Sequence, residues 1–252
     1  VYLIPEMQKI RIEDDFEDVI GKAMAGLKLS AADLAKKSGL ATADVDSLLA
    51  GKPSVAAIRA VAPNLGLSAD ALEDLAAQAW YPATELPDWV VLLNTPFPVP
   101  GYEEMTVNSY LFWSGSEAIA IDTGDDASPL LAEVAKLGLR LKALLLTHTH
   151  RDHIAALDAV RTALPDLPIY CPRGEAIPDT VLLDEGAKLS CGSLEIETRL
   201  TAGHSPGALS YLVSGGAERV AFVGDAIFCL SMGKAPGAYA QALAHGRQKL
   251  LS

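Results

Sequence analysis

Residues 143–154, Ala-Leu-Leu-Leu-Thr-His-Thr-His-Arg-Asp-His-Ile, constrain the fold more than any other stretch of the chain. The apolar run from Ala143 to Leu146 reads as a short buried strand, and side chains with coordinating atoms begin the moment it ends. His148, His150, Asp152 and His153 place three imidazoles and a carboxylate within six residues, and the chain has only five histidines in all. Open α/β sheets carry their sites at the carboxyl ends of strands. The stretch is therefore read as metal-ligand chemistry delivered by a sheet, not as a solvated polar loop.

With 252 residues, half of them hydrophobic, the chain can bury a large α/β core and leave room for a smaller unit. A formal net charge of −12 opposes general binding to a phosphate backbone, which needs clustered Lys and Arg. Cys171, Cys191 and Cys229 form no C-x-x-C pair and no even-numbered disulfide framework, which fits a reducing compartment. No run of about 18 apolar residues predicts a transmembrane helix. Residues 1–6 lack the basic start and long apolar core of a signal peptide, so a cytoplasmic location is expected. The sequence starts at Val1 without Met, which suggests that its natural N-terminus is missing.

Residues 12–80 read as all helix. Asp14 or Asp15 caps a helix through about Leu27, with Phe16, Val19, Ile20, Ala23 and Leu27 at helical spacing. Ser30 caps Ala31 to Lys37, Thr42 caps Ala43 to Ala50, Ser54 caps Val55 to Asn64, and Ser68 caps Ala69 to Gln78. Gly39 and Gly51 supply stops, and the result is a compact five-helix unit. Residues 30–51 resemble the helix-turn-helix of the Cro/phage-repressor family, with Leu34, Ala35, Gly39, Val45, Leu48 and Leu49 where that motif packs its helices. The resemblance implies a third helix placed for the major groove. Its first half offers Ala43, Asp44, Asp46 and Ser47, with no Arg or Lys for guanine. Residues 1–80 hold 8 basic and 12 acidic side chains. The unit is expected to serve packing or homodimerisation, and a DNA-binding regulator acting through residues 30–50 is the alternative from a different class.

Pro82, Pro87, Pro96, Pro98 and Pro100 mark a linker and a boundary near residue 82. From 82 to 252 strands alternate with helices. Strands are expected at 89–93, 106–113, 117–122, 143–146, 168–171, 194–200, 211–213 and 219–223, the last two a hairpin around 214–217. Helices are expected at 129–137, capped by Ser128, at about 154–164, and at 239–251.

Two later turns add to the histidine cluster. Thr201-Ala-Gly-His-Ser-Pro-Gly207 presents His204, and Phe222-Val-Gly-Asp225 presents Asp225. A lone His in a turn or a lone Asp after Gly is ordinarily surface decoration or a cap. Together with the H-x-H-x-D-H core at 148–153, and with Asn108-Ser-Tyr-Leu and Ile119-Ala-Ile-Asp-Thr-Gly, these turns resemble the metallo-β-lactamase superfamily from about Asp88 onward. The resemblance implies an αββα sandwich: two mixed sheets face to face, helices outside, and the site at one edge. It implies that His148, His150 and His204 hold a first metal, that Asp152 and His153 contribute to a second, and that Asp225 bridges both. Zn²⁺ is the expected ion, two per chain with the second site incomplete, and Fe²⁺ or Mn²⁺ also suit these ligands. Two such ions can share a hydroxide that attacks a carbonyl or phosphoryl centre, with Asp152 orienting it. Asp122 is expected either to steady the cluster from behind or to serve a strand-end turn.

Relatives with two metals supply a last histidine in a Gly-His-Gly-like turn after the closing helix. His245 lies mid-helix and is not expected to replace it, so the C-terminal end is expected to be incomplete. Among activities on this scaffold, hydroxyacylglutathione hydrolase-like (glyoxalase II-like) thioester or ester hydrolysis is the first expectation. A mononuclear iron persulfide dioxygenase, which would use His148, His204 and Asp225, is an alternative, as are a lactonase, a β-lactamase and a metal-binding pseudoenzyme. RNA processing is disfavoured by the acidic charge. The expected partner is a small-molecule substrate, with neither membrane nor DNA.

Overall fold

Short helices with strong local stop signals shape the first third of the chain. The structure, a computed structural model, describes residues 10–83, 85–215 and 218–252. The segment 1–6, read as lacking a signal peptide, and Gly216 and Ala217 of the expected hairpin turn lie outside the described residues. Helix α1, Phe16–Leu27, is capped by Asp15, whose backbone N–H donates to the Asp18 carboxylate at 3.1 Å. Helix α2, Ala31–Ser38, starts at Ser30 and stops at Gly39, whose φ of 68° suits glycine. Helix α3, Thr42–Leu49, corrects the expected start: Ala41 is the cap, and its N–H reaches the Asp44 carboxylate at 3.1 Å. An acid three residues into the helix thus does the work assigned to Thr42. Helices α4, Val55–Leu65, and α5, Ala69–Ala76, begin at Ser54 and Ser68 as expected, α5 ending two residues early. Apart from Leu27, which is 42% exposed, the apolar positions at helical spacing meet in one cluster around Ile20, Leu34, Val45, Leu48, Ile58 and Val61. Leu49 is a second exception to the expected packing; it is 36% exposed.

Among the described residues, ten strands follow in two sheets. The first holds β1 (Val90–Pro96), β2 (Thr106–Ser114), β3 (Glu117–Ile121), β4 (Arg140–Leu145), β5 (Ile169–Pro172) and β6 (Val181–Leu183), in that order. Pairing is antiparallel from β1 to β3 and parallel from β3 to β6. The second holds β7 (Lys188–Cys191), β8 (Leu194–Leu200), β9 (Leu209–Gly215) and β10 (Glu218–Phe222), in the order β10-β9-β8-β7. All its pairings are antiparallel, so only the first sheet is mixed, contrary to expectation. Strands β6 and β7 were not expected. Three and four residues are too few for a two-residue period to stand out.

Alternation of side chains builds the sandwich. Ile119, Ile121, Ala143 and Leu145 face inward and meet Ile196, Leu209, Tyr211, Val213 and Phe222 of the second sheet. Ala118, Ala120, Leu144 and Leu146 point the other way, against Leu130 of helix α6 (Ser128–Lys136) and Leu157 and Val160 of helix α8 (Leu157–Ala163). From Ala143 onward strand β4 is thus buried on both faces, which is why that part reads as an uninterrupted apolar run. In α6 Ser128 is the first helical residue, with Ala127 as cap. The helix expected at 154–164 is broken into α7 (Arg151–Ile154) and α8, because the Ala156 N–H is drawn to Gly124 O at 3.1 Å. Among the described residues, helices cover the outer face of the first sheet only; that of the second carries Lys188, Glu195, Glu197 and Arg199, partly or fully exposed. The closing helix α9, Tyr239–His245, continues as a π-turn, Gly246–Leu250, and sets Tyr239 against the α1–α5 cluster. No helix among the described residues is long and apolar enough to cross a membrane.

Candidate metal centre

Three parallel strands end at one edge of the first sheet, and each delivers a polar group there. After β3 comes Asp122, in the left-handed region with a φ of 55° and its N–H on Leu145 O at 3.0 Å. After β4 come Thr147 and the histidines. After β5 comes Glu175, in a short 3-10 turn. The second sheet adds His204 from the loop between β8 and β9, and Asp225 from the turn after β10.

Asp122 organises two of the histidines. Its Oδ1 accepts the Thr147 N–H at 2.7 Å and its Oδ2 accepts the Thr147 hydroxyl at 2.7 Å. With that hydroxyl proton committed, the Thr147 oxygen receives Nδ1–H of His148 at 3.0 Å. Asp122 Oδ2 also takes Nδ1–H of His153 at 2.8 Å. Both imidazoles are therefore held with Nε2 turned towards the cluster. The turn role and the steadying role weighed for Asp122 coincide in one residue.

His148 is 1% exposed, and its Nε2 is buried without a hydrogen-bond partner. Burial, reinforced by the neighbouring His153 charge, pushes its pKa down to about 3, so the ring is neutral near pH 7. Its Nε2 therefore presents a free lone pair. His204 donates Nδ1–H to Lys234 O at 3.1 Å, leaving Nε2 as an acceptor 2.7 Å from Nδ1 of the exposed His150. His153 Nε2 lies 3.1 Å from Asp225 Oδ1, and His204 Nε2 lies 3.3 Å from Asp225 Oδ2. Burial alone would lower the His153 pKa, but the Asp122 charge and hydrogen bonds to Asp122 and Asp225 outweigh it and raise it. For Asp225, burial is outweighed by the His153 hydrogen bond and the imidazole charges, which hold the carboxyl far below its usual range.

Two groups of donors emerge: His148, His150 and His204, and His148, His153 and Asp225, each with ligand atoms within 4.8 Å of one another. The first brings together the three histidines expected at the first metal. The second keeps His153 and Asp225 but takes His148 in place of Asp152, whose Oδ2 stands 3.7 Å from His153 Nε2. An orphaned buried imidazole nitrogen ringed by imidazoles and a carboxylate fits a divalent cation such as Zn²⁺, Fe²⁺ or Mn²⁺. His245 takes no part, since its Nδ1–H goes to Ala202 O at 2.9 Å.

Sequence reasoning missed Glu175. One of its oxygens accepts the Ser205 hydroxyl and the Gly207 N–H, the latter at 2.9 Å, and the other accepts the Thr149 hydroxyl at 2.9 Å. It ties the His204 turn to the His148–His150 segment. Its place after a third parallel strand was the signal available.

A family model described as the metallo-beta-lactamase superfamily matches residues 102–247. A probable metallo-hydrolase of Bacillus subtilis, YqgX, is 30% identical over 148 residues, 50% of this chain and 69% of that protein. The hydroxyacylglutathione hydrolase of Aeromonas salmonicida is 30% identical over 144 residues, 56% of this chain and 54% of that protein. This chain thus spans about half the length of that hydrolase. Among solved structures, the BLEG-1 B3 metallo-beta-lactamase superposes with a TM-score of 0.50 at 30% identity, covering 64% of this chain and 86% of that one.

Proposed function

The chain belongs to the metallo-beta-lactamase superfamily, and we propose that it is a Zn²⁺-dependent hydrolase of an ester or thioester bond, glyoxalase II-like in its chemistry. The observation that carries the reading is the buried, partnerless Nε2 of His148, ringed by His150, His204 and Asp225. His148, His150 and His204 would hold one cation, with Asp225 and His153 beside them. Bound there, a divalent metal supplies Lewis acidity: it makes water a nucleophile near neutral pH and offsets charge that develops on the attacked carbonyl oxygen. The chain's own contribution is orientation. Asp122 and Thr147 fix the tautomers of His148 and His153, Lys234 O fixes that of His204, and Glu175 holds the two histidine-bearing segments together. Asp152, partly exposed beside His153, is the carboxylate available to take the proton of the attacking water.

Likeness to a hydroxyacylglutathione hydrolase supports a thioester substrate. Free Cys171, Cys191 and Cys229 support a cytoplasmic setting. Helices α2 and α3 lie where the sequence led us to expect a Cro-like pair, and the exposed carboxylates of Asp44 and Asp46 oppose contact with phosphates. The test loads metal-free protein with Zn²⁺, Fe²⁺ or Mn²⁺ and assays thioesters, lactones, β-lactams and, with dioxygen uptake, a persulfide. Thioester turnover that EDTA abolishes, and that His150→Ala lowers by at least about 100-fold, is expected. Turnover only of the persulfide with dioxygen, or none of any substrate, overturns the hydrolase reading.

A further inference from the structure

Residues 226–234 form a strap that leaves the centre at Asp225 and comes back to it. At its return, the Gly233 N–H donates to Asp225 O at 3.0 Å, and Lys234 O accepts from His204 Nδ1 at 3.1 Å. The approach is close: a Cβ on Gly233 would lie 2.1 Å from Asp225 O and 2.8 Å from His204 Nδ1. Between these ends the strap folds on itself, with Phe228 and Ser231 exchanging backbone hydrogen bonds around Leu230, which has a φ of 58°.

What holds the strap from outside is the helical unit. The Lys22 ammonium, on α1, donates to Met232 O at 3.0 Å, one residue before Gly233. The same ammonium is fixed by both oxygens of Asp14, at 2.8 and 2.6 Å, and sits 4.8 Å from the Phe228 ring centroid. Asp14 in turn accepts the Ser231 hydroxyl, and the Glu13 carboxylate accepts the Cys229 N–H at 3.4 Å. The pair is sheltered, with side-chain exposures of 18% for Lys22 and 7% for Asp14. Leu230 packs against the helical cluster, yet a cavity of about 400 Å³ remains among Val19, Ala23, Phe228, Leu230 and Tyr239. Apolar packing alone therefore leaves part of the strap uncovered, and the polar contacts add to what fixes its path.

We infer that the helical unit is a clamp for the metal centre, and that Lys22, braced by Asp14, is a positioning residue which acts through the 226–234 strap on Asp225 and His204. This gives the acidic helices a use inside the enzyme. The inference rests on the reading of Asp225 and His204 as ligands. Partners that orient a metal's ligands are worth roughly 10- to 100-fold in metal affinity.

The experiment titrates metal-free full chain with Co²⁺, read by its visible absorption, and with Zn²⁺ in competition. It also measures amide hydrogen exchange without metal. Lys22→Met is expected to weaken Co²⁺ binding by about 10-fold and to speed exchange of the Gly233 amide, leaving Ile58 and Val61 in α4 protected. Lys22→Arg is expected to restore both. Because Lys22→Met leaves Asp14 buried without its cation, the double variant Lys22→Met/Asp14→Asn removes both charges and keeps the comparison valid if the single variant misfolds. Arg59→Ala, which breaks the pairs with Glu73 and Asp70 in the same unit and touches nothing in the strap, is expected to bind Co²⁺ as the unaltered chain does. Unaltered affinity and Gly233 exchange in the folded Lys22 variants overturn the clamp alone. Failure of the unaltered chain to bind Co²⁺ or Zn²⁺ overturns the metal reading and the clamp with it.

Discussion

Glu175 shows how a single carboxylate can set a pH limit on the site. Burial acts against its charge, but the Ser205, Gly207 and Thr149 hydrogen bonds outweigh burial and lower its pKa from the ordinary 4.5. A depressed folded-state value means that the stabilisation is present above the unfolded value and lost as pH falls through and below it. In metal-free protein, stability is therefore expected to drop as pH falls below about 4.5. Glu175→Gln is expected to flatten that drop and to cost about 1–3 kcal/mol at pH 7, checked by urea unfolding across the pH range. The residues proposed as ligands were legible in the sequence because each carries its donor in a recognisable turn. Glu175, Thr147 and Gly233 were not, because their importance lies in what they touch across the sheet edge. The resemblance expects Asp122 behind the cluster, but only the fold shows that it reaches His148 through Thr147.

Elements obey the same division. Helix ends announced themselves where a Ser carries its own acceptor, as at Ser30, Ser54 and Ser68. The start of α3 was misread because Ala41 has no such group and the acceptor lies three residues on. The break between α7 and α8 is invisible locally, since it comes from loop 123–124 capturing the Ala156 N–H. One cross-sheet contact fixes how the layers meet at the site: the fully buried Tyr211 hydroxyl on β9 donates to Leu146 O, just past β4, at 2.6 Å. Tyr211→Phe leaves that carbonyl without its partner in the dry interior. A loss of about 1–3 kcal/mol in chemical denaturation is expected. A variant as stable as the parent would show that the two sheets are held in register without this bond.

For the whole molecule, the 226–234 strap links the helical cluster to the sandwich with its two apolar clusters, joining segments that the sequence alone assigns to separate jobs. The helices lie outside the family match at 102–247, yet they touch the loop that carries Asp225 onward. The Asp14–Ser231 contact joins positions 217 apart in the chain. Closing a loop of that length costs entropy that must be met before the contact returns anything, and such distant pairings form late. During synthesis the helices emerge first and wait for the strap. In refolding, far-UV circular dichroism is expected to recover before Co²⁺ absorption appears, and simultaneous recovery would show that the centre assembles without waiting for the chain's two ends to meet. Under the proposed clamp, the order of assembly would guard the chain: a half-made molecule with its histidines in place would hold an ion about 10-fold less firmly than the finished one, and so would let it go more readily.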